Sequence, residues 1–267
     1  MRTSPLATWL LRLFAVLVLV LLLAPLAIIV LFAFDRSNVQ TFPVRSWSTQ
    51  WFSVAWHDSA VRDALWLSVK AGVGATVIAL VLGVLVSVGI HRFRFFGRDV
   101  VSLLLVLPIA LPGIVTGLAL QSAFGLVAVQ LSLTTIIVGH ATFCIVVVFN
   151  NVVARLRRTP DSFMEASSDL GATPLQTFRF VTFPLLRTAI IAGGLLAFAL
   201  SFDEVIVTTF TAGAQNTLPL WIFGAIRLGQ QLPEVNAVVV GVMVLTIVPI
   251  AFAAKLSSGE TSVKSSR

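Results

Sequence analysis

Two adjacent carboxylic acids, Asp203 and Glu204, lie inside a long apolar stretch of the chain. An ionisable side chain at membrane depth costs roughly 2.5–3.5 kcal/mol on insertion scales, so we expect it to face a cavity or a partner. Two anions in one cavity favour a cationic solute. A structural role remains open as the alternative, with Lys70 from another apolar stretch as a possible partner.

Helical spacing separates the expected roles of the two acids. In a continuous helix, Ser201, Glu204, Thr208 and Thr211 fall on one stripe, and Asp203 points about 100° away from it. We therefore expect Glu204 to line a translocation path together with Ser201 and Thr208. Asp203 is expected at the edge of that path or paired with another helix.

The other residue types that often carry chemistry are sparse. The histidines His57, His91 and His140 are far apart and never form an H-E-x-x-H pattern, and Cys144 is the single cysteine. No G-x4-G-K-[ST] phosphate-binding loop occurs in the sequence. We therefore predict no catalytic residue, no metal site and no cofactor, so the chain is not predicted to be an enzyme. If ATP drives its function, a separate subunit must bind the nucleotide.

Composition indicates a membrane protein. Of the 267 residues, 58% are hydrophobic and 11% charged, whereas a soluble domain is about one quarter charged. We predict an all-α, polytopic fold forming one domain over residues 1–267, with six spans at about 10–34, 65–90, 100–123, 131–153, 186–210 and 235–254. The net charge of +7 is first explained by orientation in the membrane, so no nucleic-acid partner is predicted.

The third span contains two prolines, Pro108 and Pro112, and the second is followed by Gly113. A proline inside a helix removes a backbone hydrogen bond and collides with the preceding turn. We expect these residues to break the helix near mid-membrane, which is tolerated only beside neighbouring helices or a water-filled cavity.

Lysine and arginine are distributed unevenly over the two sides of the predicted membrane. Six spans put both termini on one side. Thirteen basic residues fall on that side: Arg2, Arg12, Arg92, Arg94, Arg98, Arg155, Arg157, Arg158, Arg179, Arg187, Lys255, Lys264 and Arg267. Four fall on the other: Arg36, Arg45, Arg62 and Arg227. Since cytoplasmic loops carry the excess of basic residues, we predict both termini in the cytoplasm.

A long polar stretch between the fourth and fifth predicted spans runs from residue 159 to residue 184, and the same rule places it in the cytoplasm. Pro160 suits the first position of a helix, and Gly171 lies where a helix end requires a positive φ. Thr173 and Pro174 then begin a second helix. Three acids follow one another at spacings of four: Asp161, Glu165 and Asp169. We predict two short helices projecting from the membrane surface.

This loop resembles the EAA loop of permease subunits of ATP-binding-cassette (ABC) importers, whose pattern is E-A-A-x3-G-x9-I-x-L-P. The chain has Glu165-Ala166-Ser167, then Gly171, then Val181-x-Phe183-Pro184, with the spacing kept and three residues replaced. The resemblance implies that the first short helix docks in a groove on a separate ATPase. It assigns ATPase coupling to Glu165, Ala166, Ser167, Asp169 and Gly171.

The whole chain resembles the second, shorter permease of spermidine/putrescine importers, which has the type I ABC importer permease fold. The matching stretches are Leu111–Gly117, Ser201–Val205, Leu218–Ile222 and Pro233–Ala237. The resemblance implies a multi-pass subunit of the bacterial inner membrane that forms half of a path for polyamines or a related cation. The implied partners are a dimer of cytoplasmic ATP-binding subunits, a second and different permease, a periplasmic solute-binding protein and membrane lipid.

Three alternatives remain open. An importer of this family could carry another solute, such as an amino-acid-like compound, an opine or a phosphonate. A secondary transporter could use Asp203 or Glu204 to carry a coupling proton, but it would work without ATP and leave the polar loop without a purpose. A non-transporting membrane scaffold predicts that neutralising both acids changes stability alone.

Overall fold

The structure is a computed structural model that describes residues 5–93, 95–160 and 162–261, with the backbone alone for residues 5, 99 and 247–261. Within these residues the chain forms twelve α-helices, one π-helical turn and no β-strand. The helices are α1 (Pro5–Ala33), α2 (Gln50–His57), α3 (Ser59–Arg92), α4 (Arg98–Ala110), α5 (Gly113–Leu126), α6 (Leu133–Leu156), α7 (Ser162–Asp169), α8 (Pro174–Thr177), α9 (Phe183–Phe202), α10 (Ile206–Thr211), α11 (Leu218–Leu228) and α12 (Leu232–Thr261). The π-helical turn, Phe178–Thr182, joins α8 to α9. The prediction of an all-α fold is confirmed.

Four helical stretches among the described residues are long and apolar enough to cross a membrane: Leu6–Ala33, Ser59–Arg92, Leu133–Leu156 and Pro174–Phe202. Helices α4 and α5 form a fifth candidate if the bent pair counts as one span. In α12 the apolar stretch whose side chains the structure describes, Leu232–Thr246, is shorter than a span. The chain is therefore a multi-span membrane protein. The count of six spans and the cytoplasmic position of both termini stay predictions.

One compact unit comprises the described parts of residues 1–62 and 224–267. Within it, α1 and α2 both pack against α12. The indole N–H of Trp51 in α2 donates a hydrogen bond to the carbonyl oxygen of Asp35 at 2.8 Å. This bond holds α2 against the segment that follows α1.

The other compact unit, residues 63–223, is built around α6. Its core consists of apolar side chains of α3, α6, α9 and α10, most of them small or branched: Ala75, Ala79, Phe143, Cys144, Val148, Val152, Leu156, Leu186, Ala197 and Val207. A Cβ placed on Gly193 would lie 3.2 Å from the Cα of Val148. The glycine thus allows the backbones of α9 and α6 to approach closely, as small residues do between membrane helices.

The third predicted span is broken, and its two halves, α4 and α5, meet at an angle of 105°. Leu111 has an extended backbone (φ −80°, ψ 144°), the conformation that a residue before proline favours over the helical region. Pro112 has no N–H to continue the ladder, and α5 starts at Gly113. Pro108 lies within α4 without ending it. The predicted interruption is confirmed, and the second proline produces it.

The segment predicted as the fifth span, residues 186–210, is interrupted as well. Helix α9 ends at Phe202, and α10 begins at Ile206. The Oε1 atom of Glu204 accepts a hydrogen bond from the N–H of Val207 at 2.9 Å, so this carboxylate serves the first turn of α10. A side-chain acceptor of this kind competes with the carbonyl that would have continued the α9 ladder. The prediction of one continuous helix is therefore wrong, and the angle of about 100° between the two acids does not apply.

Candidate functional site

The polar loop forms the predicted helix–turn–helix. Helix α7 is followed by Gly171 at φ +77°, and the N–H groups of Gly171 and Ala172 bond to the carbonyls of Ser168 and Ser167 at 2.9 and 3.1 Å. These bonds satisfy the last carbonyls of α7, as a left-handed residue after a helix commonly does. Among the described residues, apart from its chain neighbours, no heavy atom lies within 4 Å of a Cβ built on Gly171, so the positive φ favours glycine here and steric crowding does not. Asp161 lies outside the described residues.

The restart of the second helix at Thr173 is stabilised by a reciprocal cap. The side chain of Thr173 accepts the N–H of Gln176, and the Gln176 side chain accepts the N–H of Thr173 at 2.8 Å. Two backbone donors at the start of α8 are satisfied in this way. Further along, the N–H of Phe183 donates to Phe178, which places the π-helical turn just before Pro184. The wider turn accommodates a proline that cannot donate in an unbroken helix.

Ser167, the third residue of the EAA-like triplet, is buried inside the loop. Its hydroxyl oxygen lies 2.9 Å from that of Thr177 in α8, and both side chains are buried. The hydrogen bond ties the two short helices together. Of the five residues predicted to couple to an ATPase, Ser167 is therefore buried and stabilises the loop. The other four are exposed: Glu165, Ala166, Asp169 and Gly171.

The exposed surface of the loop carries large apolar side chains that the sequence analysis did not single out. Leu170 is 89% exposed and Leu175 is 75% exposed, on either side of the Gly171 turn. Phe163 and Phe180 are also exposed. Apolar side chains this exposed, beside acids, are typical of a protein contact surface. The sequence feature that could have indicated this surface is the presence of two leucines within an otherwise polar turn.

The interruptions of the third and fifth spans meet at one cavity of about 200 Å³. Pro108, Gly113 and Thr116 line it from the third span, and Glu204 lines it from the fifth. The Thr116 hydroxyl is buried and has no hydrogen-bond partner among the residues the structure describes. Glu204 is half-buried there, with one carboxylate oxygen bonded to the N–H of Val207. The cavity therefore combines a carboxylate with an unsatisfied hydroxyl.

A buried histidine bridges the interruption of the fifth span. In His140 of α6, Nδ1 lies 2.7 Å from the Ser201 hydroxyl and Nε2 lies 2.8 Å from the Thr208 hydroxyl. Thr208 donates its single proton to the carbonyl of Glu204 at 2.6 Å. Hence Nε2 carries the imidazole proton, and Nδ1 accepts from Ser201. His140 therefore forms hydrogen bonds between helices, whereas Asn151 bonds within its own helix.

The four residues predicted to form a solute path differ in their accessibility. Ser201 and Thr208 are 3% and 0% exposed, so in this conformation both serve the His140 network instead of lining an open path. Glu204 is half-buried in the cavity, and Asp203 is exposed.

Lys70, the possible partner of the two acids, lies over the Trp66 ring at 5.4 Å from its centroid. Among the described residues it forms no ion pair with either acid, so the structure does not support that pairing.

Comparison with known proteins assigns the chain to a family. Residues 79–258 match the family described as binding-protein-dependent transport system inner membrane component. The putrescine transport system permease protein PotI of Escherichia coli K12 is 36% identical over 224 residues, covering 81% of this chain and 79% of that protein. The spermidine/putrescine transport system permease protein PotC of the same strain is 32% identical over 231 residues, covering 85% of each chain.

A solved structure shows the same fold. One chain of a bacterial ABC transporter involved in the import of the acidic polysaccharide alginate matches with a TM-score of 0.71 and 19% identity, over 96% of this chain and 99% of that chain. The chain described here belongs to the binding-protein-dependent transport system inner membrane component family. It is the membrane-spanning permease component of an ABC importer of the inner membrane. The predictions of family, fold class, permease function and membrane are confirmed.

Proposed function

We propose that this permease carries polyamines, putrescine or spermidine, or a related small organic cation. The observation that carries the proposal is the half-buried carboxylate of Glu204 in the cavity where two broken spans meet. No lysine or arginine is among the described residues lining that cavity. A carboxylate without a cationic partner at membrane depth is costly, and an ammonium group of the solute would offset that cost. The relatives named for putrescine and spermidine transport support the same solute class.

The two acids have different parts in this proposal. Glu204 contacts the solute inside the cavity, beside the unsatisfied Thr116 hydroxyl. Asp203 is exposed and lies at the start of the interruption, so it raises the local cation concentration at the edge of the path. Ser201 and Thr208 act through His140 by holding the interrupted span in place.

We further propose that the polar loop couples the path to a separate dimer of ATP-binding subunits. Helix α7, with Glu165, Ala166 and Asp169, enters a groove on the ATPase, and Leu170 and Leu175 add apolar contact at its rim. A second, homologous permease completes the path, and a periplasmic solute-binding protein delivers the cation. Closure of the ATPase dimer on ATP moves the loops and turns the cavity outward, and hydrolysis resets it.

The first test is to purify the tagged chain in mild detergent and identify the proteins that accompany it. Recovery of an ATPase and a sister permease is expected, followed by ATP-dependent uptake of radiolabelled putrescine after reconstitution with the binding protein. Leu170→Ser with Leu175→Ser is expected to release the ATPase. Leu126→Ser, at a residue that is also 89% exposed but lies outside the loop, is the matched control.

Other outcomes separate the alternatives. Putrescine uptake that needs no ATP and follows an imposed proton gradient would replace the importer mechanism with proton coupling through Asp203 or Glu204. ATP-dependent uptake of an opine or a phosphonate, with none of putrescine, would retain the importer and reject the cation. A complex that transports nothing, with both acids dispensable, would favour the scaffold.

A further inference from the structure

A second cavity, of about 340 Å³, lies between the ends of three helices in the unit formed by residues 63–223. Its described lining comes from the end of α3, from α4, and from the end of α6 and the residue after it. The lining includes two arginines, Arg98 and Arg157, and one histidine, His91. The volume is within the range of roughly 300–1,000 Å³ that is typical of small-ligand pockets.

The two arginines of this cavity have no anionic partner in the described part of the chain. Neither Arg98 nor Arg157 forms an ion pair or a side-chain hydrogen bond with any described residue, and no acidic side chain is among the described residues of the lining. Two guanidinium groups facing one cavity are therefore available to an anion. Arginine forks fit the oxygens of phosphate in a bidentate manner.

The cavity is basic at one end and apolar at the other. Arg98 begins α4, and Val106, eight residues further on, lies about 12 Å deeper along the helix axis. On α6 the lining runs from Arg157 back to Phe149 over a similar length. A free phosphate ion would use only the basic end. A phospholipid would place its phosphate between the arginines and an acyl chain against Val106 and Phe149.

We propose that this cavity binds the phosphate headgroup of an anionic phospholipid. Arg98 and Arg157 hold the phosphate, Ser102 and Asn150 offer polar contacts to the glycerol ester region, and the apolar end accepts the acyl chain. The inference rests on the proposed function in one respect, because Arg157 directly follows α6 and precedes the polar loop of residues 159–184, which we propose couples to the ATPase. A lipid in the cavity therefore occupies the joint between a span and the loop, on the side where the ATPase docks.

The test is native mass spectrometry of the full-length chain with its accompanying subunits, titrated with phosphatidylglycerol, with phosphatidylcholine and with inorganic phosphate. The intact chain is expected to retain phosphatidylglycerol in preference to phosphatidylcholine. The variant Arg98→Gln with Arg157→Gln is expected to lose binding by about tenfold to thirtyfold, in line with the contribution of two arginines near a lipid surface. Arg98→Lys with Arg157→Lys keeps both charges but lacks the bidentate forks, so it is expected to lose less than the glutamine variant and more than the control.

The matched control is Arg158→Gln with Arg187→Gln, which removes two positive charges at exposed positions outside the cavity lining. Equal lipid binding by the cavity variant and the intact chain would overturn the proposal, as would equal losses in the cavity and control variants. Displacement of the lipid by millimolar inorganic phosphate would assign the cavity to a free anion and reject the lipid. Lipid retention is read without ATP or solute, so its failure is distinguishable from a failure of ATP-driven cation uptake.

Discussion

The Nε2 atom of His140 lies 2.8 Å from the hydroxyl oxygen of Thr208, on the far side of the interruption in the fifth span. The other ring nitrogen lies 2.7 Å from the hydroxyl of Ser201, on the near side. One side chain of α6 thus holds both halves of an interrupted helix. The geometry of the interruption, and with it the position of Glu204, is set by a neighbouring helix.

Removal of this bridge is expected to loosen the interruption. His140→Ala leaves the Ser201 hydroxyl buried without a partner and opens a cavity, at a cost of about 2–4 kcal/mol in the free energy of unfolding. Amide hydrogen exchange over residues 203–211 is expected to accelerate, and the thermal unfolding temperature to fall. Thr209→Val is the control, since the exposed Thr209 hydroxyl bonds to its own helix. Unchanged exchange in the His140 variant would contradict the bridging role.

The hydroxyl pair inside the loop is expected to show strong coupling. Ser167→Ala leaves the Thr177 hydroxyl buried and unpaired, and Thr177→Val does the same to Ser167, each at about 1–3 kcal/mol. Replacing both removes the polar pair together, so the double variant should lose less than the sum of the two single losses. Thermal unfolding of the four proteins measures the difference. Strict additivity would mean that the hydroxyls do not interact.

The turn after α7 is expected to tolerate asparagine and to reject a branched residue. Gly171 has φ +77°, where asparagine is several-fold enriched and valine is strained. Gly171→Val should abolish ATP-driven uptake without preventing membrane insertion, and Glu165→Lys should do the same by reversing a charge on α7. Gly171→Asn is the matched control and should retain uptake. Normal ATP-driven uptake in both Gly171→Val and Glu165→Lys would count against docking by this loop.

The charge of Glu204 is expected to matter more for cation uptake than that of Asp203. Glu204→Gln keeps an amide oxygen that can accept the Val207 N–H, so it removes the charge and spares the helix start. Loss of one charge contact in a partly buried site predicts a fall in putrescine uptake of about tenfold or more. Asp203→Asn, at an exposed position, should lower uptake less. Equal effects, or a larger effect at Asp203, would refute the assignment of Glu204 to the solute contact.

A pH dependence is expected from Glu234, which lies one residue before the predicted sixth span. Burial raises the pKa of its carboxyl above the ordinary value of 4.5, and Asp58 raises this pKa further through its charge and a hydrogen bond. The folded protein therefore holds this proton more tightly than the unfolded chain does. The associated stability is present below pH 4.5 and is lost as the pH rises through the raised pKa of the folded state.

Glu234→Gln has no carboxyl proton to release, so it should keep the stability that the intact chain loses as the pH rises. At neutral pH this variant should unfold at a higher temperature than the intact chain. Asp58→Asn should act in the same direction, because it removes the negative charge that raises the pKa of Glu234. Asparagine can still accept the N–H of Ala60, so the start of α3 is kept. Thermal unfolding between pH 4 and pH 8 measures both effects. An intact chain whose stability rises over this interval relative to Glu234→Gln would reverse the sign and refute the assignment.

Some local features of the structure could be predicted from the sequence because single residues dictate them. Pro112 has no N–H and disfavours the helical region for Leu111, so a break in the third span could be expected from local chemistry. Gly171 takes a positive φ that few other residues adopt, and the turn follows from that. The EAA-like motif of the polar loop is recognised by the spacing of its residues, and this spacing can be read directly from the sequence.

The interruption at Asp203 was not predictable in this way. No proline lies between Phe202 and Ile206, and the helical period continues through the segment without a local breaker. The interruption depends on two hydrogen bonds: the N–H of Val207 donates to Glu204, and the Nε2–H of His140 donates to the Thr208 hydroxyl. His140 is more than sixty residues away in sequence, so its effect exists only after α6 and α9 have packed.

The sequence by itself determined the family, the helical class, the polar loop and the presence of two acids in an apolar stretch, because hydropathy and short-range spacing encode each of them. The tertiary structure decided which polar groups are accessible. It buried Ser201, Thr208 and Ser167 in hydrogen bonds, exposed Leu170 and Leu175, and joined the two interrupted spans at one cavity. Accessibility depends on what packs against a side chain, and that is a property of distant segments brought together.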